Sequence, residues 1–121
     1  MMRLPVIFLV GLAVLALVAS ANAASSYCSP TGDYCTSTQR QSGAVYLRLS
    51  SFNNIGAIRI CVTDPKKTRV CRTFALTKRG EMWQVNVRWR SRYPSAGPGR
   101  YLVGFFLGQT RLGPLLDFRI R

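Results

Sequence analysis

The sequence predicts an all-β fold, a small sandwich of six to seven antiparallel strands with two local disulfides. Three observations carry this. From Val45 onward apolar residues recur at every second position in several short runs, the pattern of strands with one buried face. No stretch beyond residue 23 shows a helical period. Cys61 and Cys71 fall opposite one another in a segment that reads as a hairpin, so a disulfide there would pin its register. Sheets with one apolar face bury it against a second layer, which gives the sandwich.

The chain opens with Arg3, an apolar run over 4–18, and Ala19-Ser20-Ala21-Asn22-Ala23. A basic start, an apolar centre and an Ala-x-Ala end define a secretory signal peptide over 1–23, with cleavage before Ala24. The competing reading is an uncleaved membrane anchor, since the run approaches spanning length. No basic stop-transfer cluster follows it, which favours the cleaved peptide. Its removal leaves 98 of the 121 residues, enough for one domain with a modest core. Residues 24–43 read as an N-terminal disulfide-stapled arm and 44–121 as the sandwich itself.

Four cysteines in an exported chain are expected to oxidise. Three pairings are open. The local one, Cys28 with Cys35 and Cys61 with Cys71, closes the shortest loops and suits the hairpin. Each bridge would stabilise by roughly 2–3 kcal/mol in the loop-entropy picture. A metal site is the weaker reading of the same cysteines, because neither spacing is Cys-x-x-Cys and the chain has no His. No metal and no cofactor is expected.

Within 24–43, Pro30, Gly32 and Asp33 are turn residues between Cys28 and Cys35. The loop either presents Tyr27, Asp33 and Tyr34 as contacts or staples an arm onto the sheet; the second is preferred, since termini fray unless tied down. Segment 44–50 alternates, with Val45, Leu47 and Leu49 on one face and Tyr46 and Arg48 on the other. Asn53, Asn54 and Gly56 break the pattern. Segment 57–76 is the hairpin, Ile58, Ile60 and Val62 before the Asp64-Pro65 turn and Phe74 and Leu76 after it, with a tip carrying Lys66, Lys67 and Arg69. Over 82–90, Trp83, Val85, Val87 and Trp89 share the inward face, while Gln84, Asn86, Arg88 and Arg90 share the outward one. The Pro/Gly-rich stretch 92–100 cannot be a central strand. Strands 101–107 and 112–120 close the chain as a hairpin turning at 108–110, with Gly104 permitting a close approach and Pro114 demoting the start of the second strand.

Pro98-Gly99-Arg100-Tyr101-Leu102-Val103, leading into a strand, a Gly turn and a last strand, is similar to the late hairpin of immunoglobulin-like domains, where a Tyr at the strand start bonds back to the chain. The resemblance implies an immunoglobulin-like sandwich and gives Tyr101 that role. The mature pattern also resembles small exported proteins of high-GC bacteria whose function is unassigned. It departs from antibody-type domains in that Cys61 and Cys71 are too close in sequence to bridge two sheets.

Charge is the other firm bound. With Arg3 set aside, sixteen lysines and arginines face four acids, a net charge of +12, and thirteen of the sixteen are Arg. Such an excess attracts polyanions, though net charge alone is equally satisfied by solubility. The sequence lacks His and every nucleophile, phosphate-loop and dinucleotide motif, and its four acids are scattered, so an enzyme is not expected. The expected function is a secreted, non-enzymatic binding module whose basic surface engages an anionic polymer such as cell envelope. Candidate contacts are Arg88, Arg90, Arg92 and Arg100, with Lys66, Lys67 and Arg69 at the hairpin tip. Arg88 and Arg90 are expected to share a surface as alternate residues of one strand. Nucleic acid would bind only non-specifically. The alternative is an extracellular protein–protein module that binds through a strand edge or the Cys28–Cys35 loop, and a third, weaker reading is membrane damage by a stapled basic protein.

Overall fold

The computed structural model describes residues 25–121; the expected signal peptide over 1–23 lies outside the described residues. Two antiparallel five-stranded sheets pack face to face as a sandwich. In chain order the strands are β1 (Ser26–Cys28), β2 (Tyr34–Gln41), β3 (Ala44–Ser51), β4 (Ala57–Thr63), β5 (Arg69–Ala75), β6 (Thr77–Arg79), β7 (Met82–Arg88), β8 (Gly99–Leu107), β9 (Thr110–Arg111) and β10 (Leu116–Ile120). A single helical turn, α1 (Trp89–Arg92), joins β7 to β8. One sheet runs β1-β2-β3-β7-β6, here sheet A; the other, sheet B, runs β10-β8-β4-β5, with β9 paired to the end of β8.

Most of the expected core is observed, although Leu107, in phase with Tyr101, Val103 and Phe105, ends up exposed. Val45, Leu47, Leu49, Val85 and Val87 point inward from sheet A and meet Ile58, Ile60, Val62, Tyr101, Val103, Phe105, Leu116 and Phe118 from sheet B. Both local disulfides are formed, Cys28–Cys35 and Cys61–Cys71. The second joins partners that sit opposite one another in the β4–β5 ladder, with Val62 on Val70 and Thr63 on Arg69 as the hairpin reading required. Gly104 is also where a side chain would have to displace its neighbours. A Cβ there would lie 2.9 Å from the Phe106 ring and 3.1 Å from Leu115.

Three expectations change. The stapled arm over 24–43 is part of sheet A, because β2 pairs with β3 along its whole length, from Tyr34 on Ser51 to Gln41 on Ala44. Ser42 and Gly43, both with positive φ, make the two-residue turn between them, the geometry that matches strand twist. Tyr27 and Tyr34 consequently face inward; the Tyr27 ring occupies the space a side chain at Gly113 would need, 2.4 Å from that Cβ position. The last strand is interrupted. Thr110 and Arg111 pair with Leu107 and Phe106, Pro114 has no N–H for a ladder, and pairing resumes only at Leu116.

The strand expected over 82–90 ends at Arg88, and α1 follows. The chain must leave sheet A here to reach sheet B, and one helical turn reverses it in four residues. That turn swings Trp89 between the layers, where it is fully buried, edge-on to Tyr101 at 4.9 Å and to Phe118 at 5.0 Å. Trp83 is only half-buried at the rim, so the second tryptophan of the expected inward pair contributes less to the core.

Candidate functional site

Ladder register shows how the arginines are distributed. Arg40 pairs with Val45, and Arg88 with Tyr46, at one end of sheet A. Arg100 pairs with Arg119, and Thr63 with Arg69, at one end of sheet B. These are the same end of the sandwich, because Arg40 Nη2 donates to the Arg119 carbonyl and Trp89 stands against Phe118. The β4–β5 tip belongs to it too, since Pro65 packs on Gly99. Eight of the sixteen cations therefore cluster at one pole: Arg40, Lys66, Lys67, Arg88, Arg90, Arg100, Arg119 and Arg121.

Within that pole lies a cleft of about 1260 Å³ between β2 and β10, floored by Thr38, Val45, Trp89 and Phe118 and ringed by Arg40, Arg88, Arg90, Arg119 and Arg121. Its one acidic side chain, Asp117, is already engaged: Arg100 Nε bonds its Oδ2 at 2.7 Å, the sole ion pair among the described residues. Five guanidinium groups face one neutralised acidic side chain. Where charges are crowded in a cleft with low-dielectric walls the potential is focused, and anions are drawn in. Arg90 is steadied by the Trp89 ring 5.7 Å below its guanidinium carbon.

The expected contacts separate into groups. Arg88 and Arg90 line the same cleft, though one ends a strand and the other sits on α1. Arg92 turns away, over the Phe74 ring at 5.7 Å, and its carbonyl accepts from Arg72 Nε. Arg100 projects from the outer face of sheet B into its pair with Asp117 and serves the cleft only by occupying that acid. Lys66 and Lys67 form a turn organised by Asp64, whose Oδ1 accepts from the Lys66 and Thr68 amides at 2.8 and 2.9 Å. Arg69 folds back over the Phe106 ring at 5.6 Å, which Arg59 also approaches at 5.3 Å. Three cleft residues were not expected: Arg40, Arg119 and Arg121. Arg40 continues the inward phase of Thr36 and Thr38, and that phase was the available signal.

The edge of β10 beside the cleft is blunted. Thr38 Oγ1 donates to the Asp117 carbonyl at 2.9 Å and Arg40 to that of Arg119, so the acceptors of an otherwise open strand are occupied. The edge of β5 carries no such covering.

Among the described residues no group of three His, Cys, Asp or Glu side chains could hold a metal ion, and no helix is long and apolar enough to cross a membrane. Two formed disulfides are compatible with an extracellular protein. No protein-family model matches the chain, and no curated protein or solved structure shows significant similarity to it.

Proposed function

We propose that this is an exported, immunoglobulin-like binding module that holds an anionic polymer, such as one of the cell envelope, in its arginine-ringed cleft, without catalysing a reaction. The observation that carries the reading is the convergence of Arg40, Arg88, Arg90, Arg119 and Arg121 around one cleft whose sole acidic side chain is paired. The immunoglobulin-like class is supported by the sheet orders β2-β3-β7-β6 and β10-β8-β4-β5, which correspond to the two sheets of that sandwich. It is supported again by Tyr101 at the start of β8, whose hydroxyl donates to the Gly97 carbonyl at 2.7 Å.

The test is retention of the disulfide-bonded protein on purified envelope and on polyphosphate as salt is raised. Each cationic contact to a flexible polyanion adds about 0.7 to the slope of log affinity against log salt. Five contacts give about 3.5, so a fourfold rise in salt should weaken binding roughly 130-fold. Replacing Arg88 and Arg90 by Gln should lower the slope to about 2. An unchanged slope in that variant, or no retention at physiological salt, would sink the proposal.

A second reading has one observation in its favour. β5 is an uncovered edge of seven residues, and an extended acidic peptide could add to it as a further strand. Binding that persists through the salt range would point there instead.

A further inference from the structure

The outer face of sheet A lies remote from the core and is polar and uncharged apart from its arginines. None of its five strands contains an acidic residue. Ladder register places Ser26, Ser37, Arg48 and Asn86 side by side in one row across it, with Gln39, Tyr46 and Arg88 in the next row toward the arginine pole. Amides and hydroxyls dominate, and Arg48 is central.

Arg48 is held from both sides. Its Nε donates to Asn86 Oδ1 at 3.2 Å and its Nη1 to Gln39 Oε1 at 2.7 Å, leaving Nη2 uncommitted among the described residues. Because a guanidinium only donates, both amides must give it their oxygens; the Gln39 Nε2 donates one hydrogen to Ser37 Oγ at 3.3 Å and keeps a second, while the Asn86 NH2 group is turned away as a donor. Two hollows meet at this residue. One of about 350 Å³ lies toward β1 and the Cys28–Cys35 bridge, and one of about 220 Å³ lies toward Thr77 and Arg79 on β6; Arg48, Gln84 and Asn86 line both. The larger falls in the range of about 300–1,000 Å³ usual for ligand sites. Gln39 lines it and also the arginine-ringed cleft, so the two sites are continuous.

We propose that this face binds a carboxylated polysaccharide, with Arg48 taking a sugar carboxylate and Gln39, Gln84 and Asn86 meeting ring and hydroxyl oxygens. The inference rests on the anionic-polymer reading and names the polymer's class. Three features select this occupant. A cationic, acid-free face complements carboxylate, and a fixed guanidinium recognises it with directed hydrogen bonds. Neutral amides and hydroxyls match sugar hydroxyls, which a bare phosphate chain does not offer. Tyr46 is the lone aromatic in the rows around Arg48, too few for the stacking by which single-stranded nucleic acids are held, and no large apolar side chain anchors a protein partner there.

The experiment measures affinity of the disulfide-bonded protein for polygalacturonate, for its neutral methyl ester, and for polyphosphate. Polygalacturonate should bind at least tenfold tighter than the ester. Arg48→Gln should weaken polygalacturonate binding about tenfold, the worth of one charge-assisted bond, while polyphosphate affinity falls less than about twofold, its contacts lying in the cleft. Nuclear magnetic resonance on the unmodified chain gives an independent reading, in which galacturonate should shift the side-chain amide signals of Gln39, Gln84 and Asn86. Equal losses for both polymers in the Arg48 variant, or amide signals that do not move, would overturn the inference and leave the cleft reading standing. Failure to bind either polymer would overturn both.

Discussion

Replacing Tyr101 by Phe removes one oxygen from the inside of the molecule and nothing else. The ring is fully buried, stacked on Phe118 at 5.0 Å with 4° between planes, and edge-on to Trp89. Phe keeps all of that packing. The hydroxyl makes two hydrogen bonds: it donates to the Gly97 carbonyl at 2.7 Å and accepts from the Ala96 amide at 2.9 Å. Each contributes about 1 kcal/mol net, and both backbone partners are left with reduced access to water. The expected loss is about 2 kcal/mol. For a domain near 100 residues, at roughly 4–6 °C per kcal/mol, the midpoint should fall by about 8–12 °C. Thermal unfolding of the oxidised protein, followed by circular dichroism, reads this directly, and the Ala96 amide should exchange with deuterium faster. Tyr46→Phe, on the open face of sheet A, is the control and should shift the midpoint little. A Tyr101→Phe midpoint within about 3 °C of the parent would mean that the 93–98 connection is not tied down by this hydroxyl, and the argument would fail.

Removing the Cys61–Cys71 bridge as a paired Ala variant should cost about 2–3 kcal/mol in denaturant unfolding, from the ten-residue separation it closes, while the β4–β5 register persists; loss of the ladder's amide protection would show that the bridge, and not side-chain alternation, sets the pairing. Burial holds the Tyr93 phenol well above the usual tyrosine range, against the opposing pull of Arg72 and Arg92, and its hydroxyl bonds the Ile60 carbonyl at 2.7 Å. The folded state thus favours the neutral phenol: its contribution is fully present below about pH 10 and is lost as pH climbs above that. Stability measured across pH 9–11.5 should fall less steeply in Tyr93→Phe, which is weaker than the parent at neutral pH; parallel slopes would refute this. Gly113 has φ of +79° and no room for a side chain beneath Tyr27, so Gly113→Ala should cost more than about 1 kcal/mol and loosen β1, seen as faster amide exchange at Tyr27; unchanged protection would show that the staple alone holds that strand.

What could be read from the sequence was whatever leaves an apolar trace at period two. β3, β4 and β8 bury Val, Leu, Ile and Phe at alternate positions, and each was legible. β2 was not, because its inward residues are Thr36, Thr38 and Arg40, and a strand at the side of a sandwich can fill its inner face with threonines, of which Thr38 bonds across the seam to the Asp117 carbonyl. The turn that follows it, Ser42-Gly43, was the remaining clue. The helical turn at Trp89 was hidden for a different reason. Val85, Val87 and Trp89 keep perfect alternation, yet the chain must change sheets there, and a crossover of fixed length overrides local pattern.

The site was hidden for the same reason as β2. Arg88, Arg90, Arg92 and Arg100 are close in sequence, which suggested one surface, but α1 turns successive residues by about 100° and β8 runs in the opposite sheet, so only the first two reach the cleft. Their actual neighbours, Arg40 and Arg119, stand some eighty positions apart in the chain and meet because β2 and β10 close one side of the sandwich. That closure also explains a cost. Arg40 takes an inward strand position, where charge is disfavoured, and it does so at the open end of the layer with the Arg119 carbonyl as its acceptor. An apolar residue there would have extended the core by one more contact. The arginine instead caps the β10 edge and adds its charge to the rim, so a single side chain both blunts that edge and supplies the cleft with positive potential.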